Sequence, residues 1–348
     1  MSMNLNGFEA LEDRVLLAGN VTATLSDAGV LTITGDNLDN GVSIIDTNVD
    51  GFYEIQTDAS TTLTLNGVNL GAGANSGNLT VAPTSITVNL LKGNDDFAVT
   101  DSGFAGDLNS PSLNMTINAG DGNDNVAVIG NGSINLGNVS IDGGKGNDVI
   151  LVDDIGAGLF AKNLTVAGGA GNLDTVAINN VDVSTGTLSV KGAAGIDLVS
   201  ITTSLALNIS VSLGAGNDVA VIDTVGANSL SISGAAGNDQ IQISNTILGN
   251  LGVDGGAGSD IVRLIGDGVL GNTSIKMDGG NDLVSILNST FFGNFDLKGG
   301  AKADGVEIGN SGFFGVNTLK GGGGKDVLVN LGGNFFSAAT TIKSFKIV

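Results

Sequence analysis

The residues best equipped for chemistry are aspartates that follow glycine-rich turns. The turns read GDGND (120–124), GGKGND (143–148), GAGND (214–218), GAAGND (234–239), GGAGSD (255–260) and GGNDL (279–283). They supply Asp124, Asp148, Asp218, Asp239, Asp260 and Asp282, and weaker copies supply Asp95, Asp174, Asp197, Asp304 and Asp326. Carboxylates beside glycine carbonyls form a set of hard oxygens, which suits a calcium-like cation. The same residues can also work without a metal. Glycine allows the positive φ of a tight corner, aspartate can cap nearby amides, and stacked asparagines can form a hydrogen-bond ladder. Electrostatics bears on the choice: carboxylates ~4.8 Å apart repel by ~1 kcal/mol per pair even at the dielectric of water. Eleven in a row call for a cation, or for lysines such as Lys145, Lys302 and Lys325 beside the turns.

What positions these aspartates is a repeat. Steps between successive Asp positions are 29, 24, 26, 23, 21, 21, 21, 22, 22 and 22 residues. A period settling near 22 marks a solenoid, in which each repeat packs only on its neighbours. Residues two and four beyond the Asp are apolar in most coils, as in Val126 and Val128, Ile150 and Val152, Ile241 and Ile243. That alternation predicts a strand with those side chains inside. A second strand precedes the turn, with inward pairs such as Leu188 and Val190 or Leu230 and Ile232. A shorter apolar step lies between them: Ile247-Leu248, Val269-Leu270, Phe291-Phe292, Phe313-Phe314 and Phe335-Phe336, each pair 22 beyond the last. Three apolar segments per coil predict an all-β fold, a three-sided parallel β-helix, with a flatter two-sheet solenoid as the alternative. The expected organisation is an N-terminal export, sorting or assembly segment (1–20), an irregular β cap with the first coils (21–90) and the regular β-helix (91–348). Val21 to Gly35 should form a hairpin with Asp27-Ala28-Gly29 at its tip. Asp36 to Gly41 looks like a degenerate copy of the turn.

Composition narrows the function. The chain has 348 residues, 57 of them glycine, with two prolines and no histidine, cysteine or tryptophan. Glycine has no three-residue period and 41% of residues are hydrophobic, which argues against both collagen and disorder. The balance of 35 acidic against 13 basic residues, a formal charge of −22, excludes nucleic acid as the expected partner. No run reaches the ~18 apolar residues of a membrane span. A β-helix lyase needs a basic proton abstractor and a hydrolase needs converging carboxylates. Here the only arginines are Arg14 and Arg263, the lysines are scattered, and the aspartates form one repeating row. The expectation is therefore no enzyme.

Two stretches resemble known families. The turns, with an apolar residue two beyond the Asp, resemble the Gly-Gly-x-Gly-x-Asp nonapeptides of repeats-in-toxin proteins. In that family glycine carbonyls and the Asp bind calcium, which implies calcium as a cofactor here. The match covers one turn per coil, whereas the family repeats its nonapeptide back to back. Several copies depart from it: Leu173 is inserted before Asp174, Ile196 precedes Asp197 and Ala303 precedes Asp304. Residues 8–18, FEALEDRVLLA, resemble the Phe-Glu-x-Leu-Glu-x-Arg-x-Leu-Leu motif near the N-terminus of exported planctomycete proteins. The matching positions are Phe8, Glu9, Leu11, Glu12, Arg14, Leu16 and Leu17. That resemblance implies export or surface sorting, although the basic stretch that often precedes the motif is missing. Read without it, the segment has an amphipathic helical spacing.

The outward positions separate the two long sheets. Before the turn they are mostly polar, as at Thr116, Ser140, Ser210 and Ser231. After it they include Val149, Leu151, Val219, Val221, Ile261, Leu283, Val327 and Val329. A sheet apolar on both faces is expected to be covered, here by another copy of the solenoid. These readings converge on an extracellular or cell-surface structural protein, a homo-oligomeric fibre or surface-layer subunit. The alternatives are a calcium-binding adhesin or glycan-binding surface protein and, more remotely, a polysaccharide-active enzyme.

Overall fold

The computed structural model describes residues 19–47, 53–101, 113–130, 135–154 and 159–348. The expected export motif at 8–17 lies outside them. The described chain is all-β, a parallel β-solenoid of about ten turns with about 22 residues in each. Three ladders run along it. One follows the turn, through Ile261–Ile265, Leu283–Leu287 and Gly305–Gly309, with Val262, Val284 and Val306 in register. A short one holds Gly268–Val269, Thr290–Phe291 and Gly312–Phe313. The third precedes the turn, through Thr273–Lys276, Phe295–Ala301 and Asn317–Gly323. The period-2 alternation dictates this arrangement, since a parallel stack buries one row of side chains per alternate position. Val126, Val128, Ile150, Val152, Leu188, Val190, Ile241 and Ile243 all lie in the core.

The N-terminal coils are built from hairpins. Gly19–Leu25 pairs antiparallel with Val30–Thr34, in register from Thr22 with Thr34 to Leu25 with Leu31, and Gly29 takes φ +78° at the tip. Gly41–Asp46 pairs antiparallel with Tyr53–Thr57, and Thr61–Leu65 with Val68–Ala72. Residues 74–79 then run along the outer edge of Tyr53–Thr57, where the Thr57, Ser76 and Leu79 amides donate across. The outer edge of Tyr53–Thr57 is thus occupied, which removes one template for unwanted pairing.

The short ladder corrects the expected constant step of 22. Its inward row is Leu248, Val269, Phe291, Phe313 and Phe336, so the steps are 21, 22, 22 and 23. The last step is longer because Leu331 is an extra residue, bulged between the pairs Ile308–Asn330 and Gly309–Gly332. Phe336, not Phe335, therefore stacks on Phe313, with ring centres 4.8 Å apart.

Candidate functional site: the buried aspartate row

Every aspartate of the row is buried: Asp95, Asp124, Asp148, Asp174, Asp197, Asp218, Asp239, Asp260, Asp282, Asp304 and Asp326 are between 0% and 4% exposed. Their partners come from the neighbouring coil. The Asp95 amide donates to Asp124 Oδ1, the Asp124 amide to Asp148 Oδ1 and the Asp148 amide to Asp174 Oδ1, each at 2.8 Å. The pattern continues from Asp197 through Asp326 at 2.8–3.1 Å. So each Asp except Asp197 caps the preceding coil, not the amides that follow it within its own turn. At the N-terminal end Asn40 occupies the Asp position of the degenerate turn, and its amide donates to Asp95 Oδ1 at 2.7 Å.

The residue before each Asp works in the opposite direction. Oδ1 of Asn94, Asn123, Asn217 and Asn238 accepts the amide of the following coil at 2.7–2.9 Å. One corner is thus stitched upward by asparagine and downward by aspartate. Ile196 replaces this asparagine, the inserted Leu173 pairs with it, and both side chains are half exposed. There the chain departs from the common register, between the pairs at Ala170 and Leu173. Neither carboxylate oxygen of Asp197 finds a hydrogen-bond partner, and this is where the downward stitch is broken.

The second oxygen sets the chemistry. Oδ2 of all eleven aspartates is buried without a hydrogen-bond partner. In several turns Oδ2 faces the first glycine: a Cβ added at Gly143, Gly192, Gly234, Gly299 or Gly321 would lie 2.2–2.7 Å from it. A Cα–H is the only group that fits, and it is a weak donor. Burial, together with neighbouring carboxylates, pushes the Asp95, Asp148 and Asp197 carboxyls up to about 7 and those of Asp239 and Asp282 to about 6, while the donated amides pull the other way at all but Asp197. Asp124, Asp174, Asp218, Asp260 and Asp304 are raised chiefly by burial. The lysines expected to neutralise the row do not reach it. Lys145 pairs with the exposed Asp121 at 2.7 Å instead, and no ion pair of Lys302 or Lys325 forms among the described residues.

As a cation site, the row offers one free anionic oxygen per coil. No three acidic, histidine or cysteine side chains converge on one point among the described residues. What the row can do is hold protons or cations in file, one coil after another.

Two further ladders were not anticipated. Just before the short strand lie Ser204, Thr246, Asp267, Ser289, Ser311 and Asn334. The Thr246 amide donates to Asp267 Oδ1, Asp267 to Ser289 Oγ, Ser289 to Ser311 Oγ and Ser311 to Asn334 Oδ1, at 2.9–3.2 Å. At the third corner, Asn114, Asn163, Asn250, Asn272 and Asn294 accept amides of the following coil. A polar residue recurring one or two positions before each short apolar pair was the available signal for the first of these.

The second position of each turn takes a left-handed backbone whatever its residue. Ala193 has φ +120°, stacked between Gly169 at +113° and Gly214 at +107°. Such a backbone costs alanine on the order of 1–3 kcal/mol. Ala193→Gly should therefore raise stability by about 1 kcal/mol after the entropy that glycine costs, measured as a higher urea midpoint.

The expected interface residues all fall on outward positions of the ladder that follows the turn. Val149, Val219, Ile261, Leu283 and Val327 share one row with Thr175, Leu198, Gln240 and Gly305. Leu151, Val221 and Val329 share a more polar one with Ser200, Gln242, Arg263, Ser285 and Glu307. Arg263 thus stands between Gln242 and Ser285. Val149 is exposed and the other seven are half-buried. Comparison with family models, curated proteins and solved structures finds no match to this chain.

Proposed function

We propose that this chain is an extracellular structural protein, the subunit of a homo-oligomeric fibre or surface layer built by packing solenoids, with calcium stabilising its turns. The observation that carries the reading is the exposure of large apolar side chains in two rows along the short face. Ile247, Leu270, Phe292 and Phe335 are each at least half exposed. Rows of this kind, repeated along a rod, mark association surfaces. Calcium is supported by the file of buried, unpartnered Oδ2 atoms, which are hard anionic oxygens. Extracellular placement is supported by the resemblance of residues 8–17 to an export motif, and a non-catalytic role by the monotony of the ladders.

Negative-stain microscopy and mass measurement, with calcium and with chelator, test the reading. Filaments or a defined oligomer in calcium that dissociate in chelator are expected. A monodisperse single rod in both conditions would remove the structural assignment.

A second reading, a glycan-binding surface protein, rests on a separate row. Thr24, Thr32, Thr87, Thr116, Ser140, Thr165, Ser189, Ser210 and Ser231 stand in register on the face before the turn. Retention on immobilised polysaccharides by a chain that stays monomeric would favour it.

A further inference from the structure

The short face differs from the other two in having no charge. Its two outward rows run over seven coils from residue 205 to residue 337. The first is Leu205, Gly226, Ile247, Gly268, Thr290, Gly312 and Phe335. Large residues and glycines alternate strictly along it, giving a knob every second coil and a gap between knobs. Leu205 leans over its gap, since a Cβ on Gly226 would lie 2.7 Å from the Leu205 side chain. The second row holds Leu270, Phe292 and Phe314, with Phe292 and Phe314 rings stacked 5.3 Å apart. Leu205, Ile247, Leu270, Phe292, Phe314 and Phe335 are 42–67% exposed. At on the order of 100 Å² each, these side chains and their neighbours approach the ~800 Å² per partner of a standard interface.

Charge restricts what can cover this face. Residues 267–348 hold seven lysines and seven acidic side chains, so the whole excess of 22 negative charges lies in residues 1–266. Two copies side by side in the same direction would align their acidic parts. Two copies in opposite directions, overlapping near the neutral third, place the acidic parts at opposite ends.

We propose that two copies of this chain pair through the short face in antiparallel fashion, about a two-fold axis crossing the rods between the Gly268 and Thr290 coils. The pairing rests on the assembly reading above and names its surface. An axis lying across the rods brings each row onto itself with the coil order reversed. Ile247 then meets Gly312 of the second copy, Thr290 meets its Gly268, and Phe335 meets its Gly226. In the other row Leu270 meets Phe292, and Phe314 meets Gly249. Knobs enter glycine gaps at Ile247, Thr290, Phe335 and Phe314, Leu270 packs on Phe292 beside the axis, and the contact is isologous.

The chain has no cysteine, so engineered thiols report the geometry cleanly. Ile247→Cys and Gly312→Cys chains are prepared separately and treated with a short bis-maleimide. A Cβ at Gly312 meets the Phe314 ring edge at 3.1 Å and Thr290 Cγ2 at 3.8 Å, both side-chain atoms, and its backbone is not left-handed. A mixture of the two variants should cross-link to dimers while each alone stays monomeric on a denaturing gel. Self-cross-linking of Ile247→Cys, as in a parallel pair, overturns the proposal. In a second arm, Leu270→Asp with Phe292→Asp should raise the dimer dissociation constant at least ~30-fold, as loss of central hot spots does. Val219→Asp with Val221→Asp should leave it unchanged, and circular dichroism confirms that both variants fold. A dimer lost only in the Val219/Val221 variant would overturn this pairing and leave the assembly reading intact. A wild-type chain that is monomeric throughout would remove both.

Discussion

In chelator, the stability of the folded chain should fall steadily as pH rises from about 4 to about 8. The cause is the inward carboxyl row. An unfolded Asp titrates near 3.9, whereas burial holds Asp95, Asp148 and Asp197 near 7 and Asp239 and Asp282 near 6 in the folded chain. Between those values the folded state binds more protons than the unfolded state, so stability decreases with pH. The contribution is fully present below about pH 4 and is lost as pH passes through 6 and 7. The charged groups that face the row from the same corner are themselves acidic: Asp39, Asp96, Asp121, Asp142, Asp254 and Asp278 all push the same way. Thermal melts at intervals across that range, with and without millimolar calcium, read the effect. Calcium should restore at pH 8 what protons provide at pH 5. Two variants identify the atoms. Asp239→Asn keeps an oxygen for the Asp218 amide and removes the ionisable group, so it should be about 1–3 kcal/mol more stable than the wild type at pH 8 in chelator. Asp239→Ala removes the acceptor together with the ionisable group, so it should be destabilised by about 1–3 kcal/mol at pH 4, and the deficit should shrink as rising pH charges the wild-type carboxyl. A wild-type stability that is flat from pH 5 to 8 would refute the account.

How far this was readable in the sequence depends on what each residue answers to. The solenoid was legible because one strand period and one coil period recur together, and no other fold buries Ile241, Ile243 and their counterparts in every coil. The hairpin at Val21–Gly35 was legible from its turn chemistry. The direction of the aspartate caps was not, because Asp239 reaches Asp218, 21 residues earlier, and only coil stacking reveals that neighbour. The Phe335–Phe336 register failed for a related reason. The bulge at Leu331 moves the strand by one residue without disturbing the local Phe-Phe pattern. The alternation of knobs and gaps on the short face was equally hidden, since it exists only between coils: Ile247 and Gly268 are 21 residues apart. The lysines near the turns misled because proximity in sequence says nothing about which side of a corner they occupy.

Gly237→Ala should be the most damaging single methyl group that can be added to this chain. Gly237 is the fourth residue of its turn, with φ +135°, and its added Cβ would lie 1.3 Å from the carbonyl oxygen of Gly216 and 2.4 Å from its carbon. Those atoms are backbone, so no rotamer change relieves the overlap, and the coils must separate. The same corner carries the bonds from the Gly216 amide to Ala236 and from the Gly237 amide to Ala257, both at 2.8 Å. Clash, left-handed backbone and lost bonds together place the cost above ~4 kcal/mol. Because each coil packs only on its neighbours, the damage should divide the rod and not merely weaken it. The expected result is two separated transitions in urea, one for the coils on each side of residue 237, where the wild type unfolds more cooperatively. Gly252→Ala is the matched control. Its Cβ meets nothing closer than Ser231 Oγ at 3.9 Å, its φ is not positive, and it points outward in the hydroxyl row. It should shift stability by no more than about 0.5 kcal/mol. Equal midpoints for the two variants would mean that the coils are not stacked at the distance that makes glycine obligatory at the turn.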